Sequence, residues 1–226
     1  MVLGILVALG SALIGAVSTI GTAVAAFCTT TLPAILPVLT QSINVAYLAA
    51  KTISAVMQLF EVFSPNEQVE EVGDRALQAA EKEITPDKFE QFDDYMTQIR
   101  CFELDPEKSA NYDASTKIAA GMAISSLGLE RKLHLPEGSM GGLFVLATQY
   151  PEYFTISRLM AILAATKDVG MVVDYYADRL DISNVDYVET MLRGVEKTIQ
   201  PDLDEQSIQA GLHAAKQHLL SQAKPE

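Results

Sequence analysis

Residues 2–27 read VLGILVALGSALIGAVSTIGTAVAAF. Nothing in this run carries a charge, and its hydroxyl side chains are Ser11, Ser18, Thr19 and Thr22. As one helix it would measure roughly 39 Å at about 1.5 Å per residue. A bilayer core takes about 20 such residues, so the run predicts a span with some tilt. The uncharged stretch extends well beyond it. The first charged side chain is Lys51 and the second is Glu61. The run does not read as a secretory signal peptide, which needs a basic stretch ahead of a shorter apolar core.

Small residues recur along the run. Gly4, Ala8, Ala12 and Ala16 are spaced every four residues, with Ser11, Gly15 and Thr19 in a neighbouring row. Such a face lets two helix backbones approach closely, which matters in lipid because apolar burial there gives no preference for protein over acyl chain. A helix-packing face is therefore expected, against either the second helix or another subunit. Cys28 to Pro33 reads as a turn, with Pro33 in the first turn of the next helix, where a missing N–H costs nothing. Pro37 is expected to kink that start.

The second helix is expected over about 34–62. Leu36, Leu39, Ile43, Ala46, Ala50, Ile53, Met57 and Phe60 step by three and four, a heptad seam. Gln41, Asn44, Lys51 and Gln58 form a thin polar stripe on another face. That stripe has two readings: it faces water or the rest of the chain, or it lines an aqueous path in an oligomer, with Lys51 as its one charge.

Charge divides the 226-residue chain in two. All 29 acidic residues and all but one of the 16 basic residues lie from Glu61 onward, a net of −14 for that part. This argues against nucleic acid, which needs a basic footprint, and against docking of the acidic part on anionic lipid. Membrane contact is thus expected from residues 1–63. Residues 64–222 are read as an acidic helical domain and 223–226 as a loose tail. The two cysteines, Cys28 and Cys101, do not suggest a disulfide framework. No metal-ligand spacing is present, and neither metal nor cofactor is expected.

Downstream the signals are helical. Ser64-Pro65-Asn66-Glu67 reads as a capping box opening a helix to about Glu83. Thr85-Pro86-Asp87 restarts the chain before a helix carrying Phe89, Phe92, Met96 and Ile99. The stretch from Asp105 to Tyr112 reads as a loop. Asp113 caps a helix to Leu133 whose apolar centre is too short to span a membrane. Pro136 to Gly142 reads as a flexible link. Thr155 caps a long helix to about Leu180, with Gly170 inside it as a mark of close packing. Ser183 caps another to Ile199, and Asp204 begins the last. The fold class expected is all-α: a hydrophobic N-terminal hairpin followed by an acidic bundle of six or seven helices.

Catalytic patterns are missing. Gly138-Ser139-Met140-Gly141-Gly142 lacks the strand and the Lys-Ser/Thr that a phosphate loop needs. It also lacks nucleophile-elbow spacing. The paired acids Glu70-Glu71 and Asp93-Asp94 read as solvated surface, and no enzymatic activity is expected. The arrangement resembles, in architecture and over residues 1–63, the helical pore-forming toxins of the colicin type, in which amphipathic helices carry an apolar hairpin. The function expected is a membrane-inserting, homo-oligomeric protein making a pore or ion leak, as in a bacterial toxin or secreted effector. It would be delivered in soluble form first, with a protein partner or chaperone covering the hydrophobic segment. The alternatives are a membrane-anchored adaptor whose acidic helices bind a protein, and a structural subunit of a self-assembling particle.

Overall fold

The charge-free run folds as several short helices. The computed structural model describes residues 2–222, the side chains of residues 2–7 and Leu9 excepted. Helix α1 covers Val2–Ser18 and stops where Ser18 and Thr19 hydroxyls donate back to the carbonyls of Ile14 (2.8 Å) and Ala16 (2.6 Å). Gly21 comes next with φ 122°, then a tight turn over Thr22–Val24 and a wide helical turn over Phe27–Thr31, in which Leu32 N–H bonds Phe27 C=O. Residues 2–27 are thus not one helix, and Cys28–Pro33 is not a hairpin turn. The chain passes through the wide turn straight into α2, Leu32–Gln41.

The expected second helix is also broken. At Ser42 the backbone leaves helical geometry (φ −138°, ψ 55°), and α3 runs Ile43–Leu59. Ser115 supplies a reason, since its hydroxyl donates to Leu39 C=O (2.6 Å) in place of the next helical N–H. The heptad seam does face inward. Leu39, Ala46, Ala50, Ile53 and Met57 are buried, together with Ala49 and Val56.

The remaining helices are α4 (Val69–Ala80), α5 (Phe92–Arg100), α6 (Pro106–Asn111), α7 (Ala114–Leu133), α8 (Ser139–Gln149), α9 (Ile156–Ala165), α10 (Val169–Tyr176), α11 (Ile182–Ile199) and α12 (Glu205–Gln222). The fold is all-α, with twelve α-helices and no strand among the described residues. None of these helices is long and apolar enough to cross a membrane.

Several boundaries depart from expectation. The Ser64–Glu67 pairing forms, with Glu67 accepting Ser64 N–H at 2.5 Å, but it closes a turn and α4 starts only at Val69. Ser54 of α3 caps that start by accepting Val69 N–H (2.9 Å). The expected loop after Asp105 contains α6, capped by the Asp105 carboxylate. The expected long helix splits at Thr166–Asp168, where Asp168 accepts Met171 N–H and caps α10. Asp181, rather than Ser183, caps α11.

At the centre lies α7, capped as expected by Asp113, which accepts Thr116 N–H (2.7 Å). It is buried continuously from Ile118 to Glu130. Helices α1, α2, α3, α4 and α8 all pack against it. One cluster of buried side chains runs from Leu13 to Leu219, so the charge-free and acidic parts share a core. The closest approach is between α4 and α7, where Gly73 and Gly121 face the other helix's backbone. Helix α9 packs on α3 and α11, and α12 closes against α10 and α11.

Pro136 to Gly142 is no flexible link. Gly138 takes the left-handed conformation (φ 80°) just before α8. The next two glycines are seats: a Cβ on Gly141 would lie 1.9 Å from Thr31 Oγ1, and one on Gly142 would lie 2.8 Å from Val173 Cγ2. Gly170, expected to mark close packing, meets only Asp168 of its own turn.

Candidate functional site

The polar stripe is divided by the break at Ser42: Gln41 ends α2, and Asn44, Lys51 and Gln58 lie on α3. Gln41, Asn44 and Lys51 are exposed, and the exposed Leu48 and Leu59 accompany them. Gln58 is half-buried, and its amide donates to Glu67 C=O (2.8 Å). The stripe faces solvent in this conformation.

The small-residue face of α1 also looks outward. Ala8, Ser11, Ala12 and Gly15 are exposed and Ala16 is half-buried. The surroundings of Gly4, like the tail 223–226, lie outside the described residues. A Cβ on Gly15 would meet nothing within 4 Å. The α1–α2 contact uses another residue, Gly10, which admits Leu36 where a Cβ would come within 2.6 Å of Leu36 Cδ2. Beside the face, a cleft of about 340 Å³ opens between Ala12, Ala16, Thr40 and the Tyr112–Thr116 stretch.

Polar side chains from the acidic part hold the charge-free part in place. Asp87 Oδ1 accepts both Thr22 Oγ1–H and Ala23 N–H at 2.8 Å. Tyr47 donates to Glu70, and Ser115 to Leu39. Glu130, at the end of α7, accepts Ser126 Oγ–H and Met140 N–H, each at 3.0 Å. Its neighbours include Val24, Ala26 and Phe27 of the broken run. Burial raises its pKa above the ordinary 4.5, and the hydrogen bonds from Gly138, Met140 and Ser126 only partly offset this.

Asp74 and Glu67 are shifted the opposite way. Burial raises Asp74, but hydrogen bonds from Ser109, Lys117 and Gln78 outweigh it and hold the carboxyl below its ordinary range. Glu67 is likewise raised by burial and lowered further by Arg100 and Ser64 N–H. A lowered carboxylate contributes stability above its unfolded pKa and loses it as pH falls through the folded value. Glu130 works in reverse: its contribution is present below the unfolded value and is lost as pH rises through the raised one. In Glu130→Gln, therefore, the melting temperature relative to wild type should become more favourable by a few degrees between pH 4.5 and 7. Calorimetry across that range measures it; a difference that is flat or falls with pH would show that Glu130 carries no such burden.

A second polar knot ties the C-terminal helices. Arg158 forks onto Glu196 with bonds of 2.8 and 2.7 Å and also donates to Tyr153 C=O. Its guanidinium stacks 3.8 Å from the Tyr153 ring centroid, and Tyr153 Oη lies 3.1 Å from Tyr176 Oη. Burial and the neighbouring Tyr153 push the Tyr176 hydroxyl far up. These groups partner one another, which makes the knot a structural clasp. Outside it, a groove of about 490 Å³ runs between α10, α11 and α12, with Arg193, His213 and Lys216 set among Glu189 and Asp178.

Among the described residues no group of three or more His, Cys, Asp or Glu is placed to hold a metal ion. Cys28 is buried, which raises its thiol pKa, and Cys101 is exposed. Asp87, Glu130 and the Arg158–Glu196 pair escape sequence reading. The one local hint is an ionisable residue set in an apolar helix, which Arg158 and Glu130 share and Asp87 lacks. Comparison with protein-family models, curated proteins and solved structures gives no match.

Proposed function

We propose that this chain is a membrane-active protein that carries a charge-free segment in water, packed against an acidic helical body, and releases it into a bilayer. One observation carries the reading. The residues before Lys51 hold no charge, yet they fold over α7 with an outer face of Ala8, Ser11, Ala12 and Gly15 that is also uncharged. Its strongly polar side chains are limited to Gln41 and Asn44, so little in that segment is costly to transfer into lipid once its backbone bonds are internal. The acidic helices, by contrast, stay on the aqueous side.

Insertion requires a change of shape. A span over residues 2–27 forms only when the break at Gly21 and the wide turn after it straighten into continuous helix. Copies of the inserted segment then associate through the small-residue face. Gln41, Asn44, Lys51 and Gln58 turn towards a shared aqueous path.

Vesicle leakage tests this. Purified full-length protein should release dye from phosphatidylcholine vesicles. Lys51→Ala and Gln41→Ala should alter ion or dye passage without altering vesicle binding. Absence of release, with both variants indistinguishable from wild type, would remove the pore reading. A second reading, an adaptor that binds a protein partner, draws on α11, where Ile182 is 92% and Tyr187 59% exposed. Loss of biological effect in Ile182→Ser/Tyr187→Ser, with leakage unchanged, would favour it.

A further inference from the structure

We propose that Asp87 is a latch: its carboxylate holds the charge-free run bent at Gly21, and loss of its two hydrogen bonds lets residues 21–31 open. The consequence for membranes rests on the membrane-active function proposed for the chain; the latch itself does not.

Residues 2–27 have a helix-compatible composition throughout, with no proline. Something must stop the helix at Ser18, and hydroxyl back-bonding alone is a weak stop. The bend is built around the carboxylate. Gly21 sits at φ 122°, a conformation that L side chains rarely adopt. A Cβ there would fall 2.0 Å from Asp87 Oδ2 and 3.3 Å from Thr85 Cβ. The missing side chain is therefore what admits the acid. From that position Oδ1 takes Thr22 Oγ1–H and Ala23 N–H, each at 2.8 Å. This is the job of a helix N-cap, performed by a residue about sixty positions away in the chain. It fixes the start of the Thr22–Val24 turn and so the direction of the chain beyond it.

The far end of this stretch is seated on α8 and the turn before it. Ala26 rests on Gly138, whose Cβ would lie 3.1 Å from the Ala26 Cβ. Thr31, at the end of the wide turn, fills the seat at Gly141. Val24, Phe27 and Cys28 are buried between. The stretch is thus held by a charged polar bond at one end and by shape at the other. Shape complementarity is lost as soon as the stretch moves, whereas the polar bond must be broken first. Asp87 itself is exposed to solvent on the turn Pro86–Lys88.

Cys28 offers a native reporter, because it is buried in the stretch that would open. In a Cys101→Ser background, which removes the exposed thiol, the rate of Cys28 labelling by a soluble maleimide measures that opening. Asp87→Ala should label about 10- to 100-fold faster than its parent. Asp87→Asn, which keeps an acceptor oxygen, should fall between them. Asp168→Ala, which removes a comparable cap on α10, should leave Cys28 unchanged.

An unchanged rate in Asp87→Ala, or equal acceleration in Asp168→Ala, overturns the latch. Dye release from phosphatidylcholine vesicles, run on the same proteins, is the second arm. Release that rises with labelling supports the link to membranes. Faster labelling with no release leaves the latch standing and counts against the membrane function alone.

Discussion

Gly121→Ala and Gly73→Ala are each expected to destabilise the protein by about 3 kcal/mol or more, enough to move its melting point down by roughly 6–12 °C. At the crossing of α4 and α7 a Cβ on Gly73 would lie 1.9 Å from Lys117 C=O and 2.5 Å from Gly121 N. One on Gly121 would lie 1.8 Å from Val69 C=O. The obstacle in both cases is backbone, so no side chain can swing aside and the helices must part. Parting also draws Asp74 from Lys117, which it now binds across the same interface. Alanine's better helix propensity offsets about 1 kcal/mol of this, so the clash prevails. Gly194 and Gly211 provide the control. Both are helical, exposed and free of neighbours within 4 Å of a built Cβ. Alanine at either should stabilise the fold by up to about 1 kcal/mol. Urea unfolding of the four variants decides the matter, and a wild-type midpoint for Gly121→Ala would refute the close-crossing account.

The largest effect should come from deletion. A fragment of residues 64–226 is expected not to fold. Its central helix would lose the cover of the chain from α1 to α3, including the buried Leu13, Val17, Ile20, Leu32, Ile35, Leu39, Ile53, Val56 and Met57. Fully burying one large apolar side chain contributes about 1.5–3 kcal/mol, and the stability of a whole domain is about 5–15 kcal/mol. Losing nine such side chains exceeds that margin even after generous discount for a compact unfolded state. The fragment should show helical far-ultraviolet dichroism without a cooperative urea transition, and should bind hydrophobic dyes. A sharp transition with dispersed amide resonances would mean that the acidic part is a unit of its own. The result bears on function, because an anchor that serves only as a tether should be removable.

Much of this architecture is legible in the residues. The helical class, the charge division at Glu61, the α7 span with its Asp113 cap and the inward seam of α3 all follow from periodicity and capping chemistry. The breaks do not. Gly21 resembles any other small residue in an Ala/Gly-rich run, and Ser42 and Thr166 are tolerated inside helices. What stops the helix at Gly21 and Ser42 is an acceptor or donor elsewhere, Asp87 and Ser115, and local sequence holds no record of either. Glycine spacing is similarly ambiguous. The regular row Gly4, Ala8, Ala12, Ala16 looks like the packing face, while the α1–α2 contact runs through Gly10, outside that row. Gly141 and Gly142 look like flexibility and are points of tight fit. The break at Ser42 puts Gln41 of the polar stripe on α2, whereas Asn44, Lys51 and Gln58 are recoverable because they share the period of α3. The latch is not, since Asp87 is one acid among many in an acidic half.

The position of α7 has a further bearing, on how the molecule is made. The first sixty residues leave the ribosome well before the helix they wrap, and α8 with its glycine seats emerges later still. At ordinary elongation rates the interval is on the order of ten seconds. Throughout it the nascent chain displays an uncharged, oily segment with no native surface to cover it. Only when α7 and α8 have followed does that segment gain the surface it packs against in the folded chain.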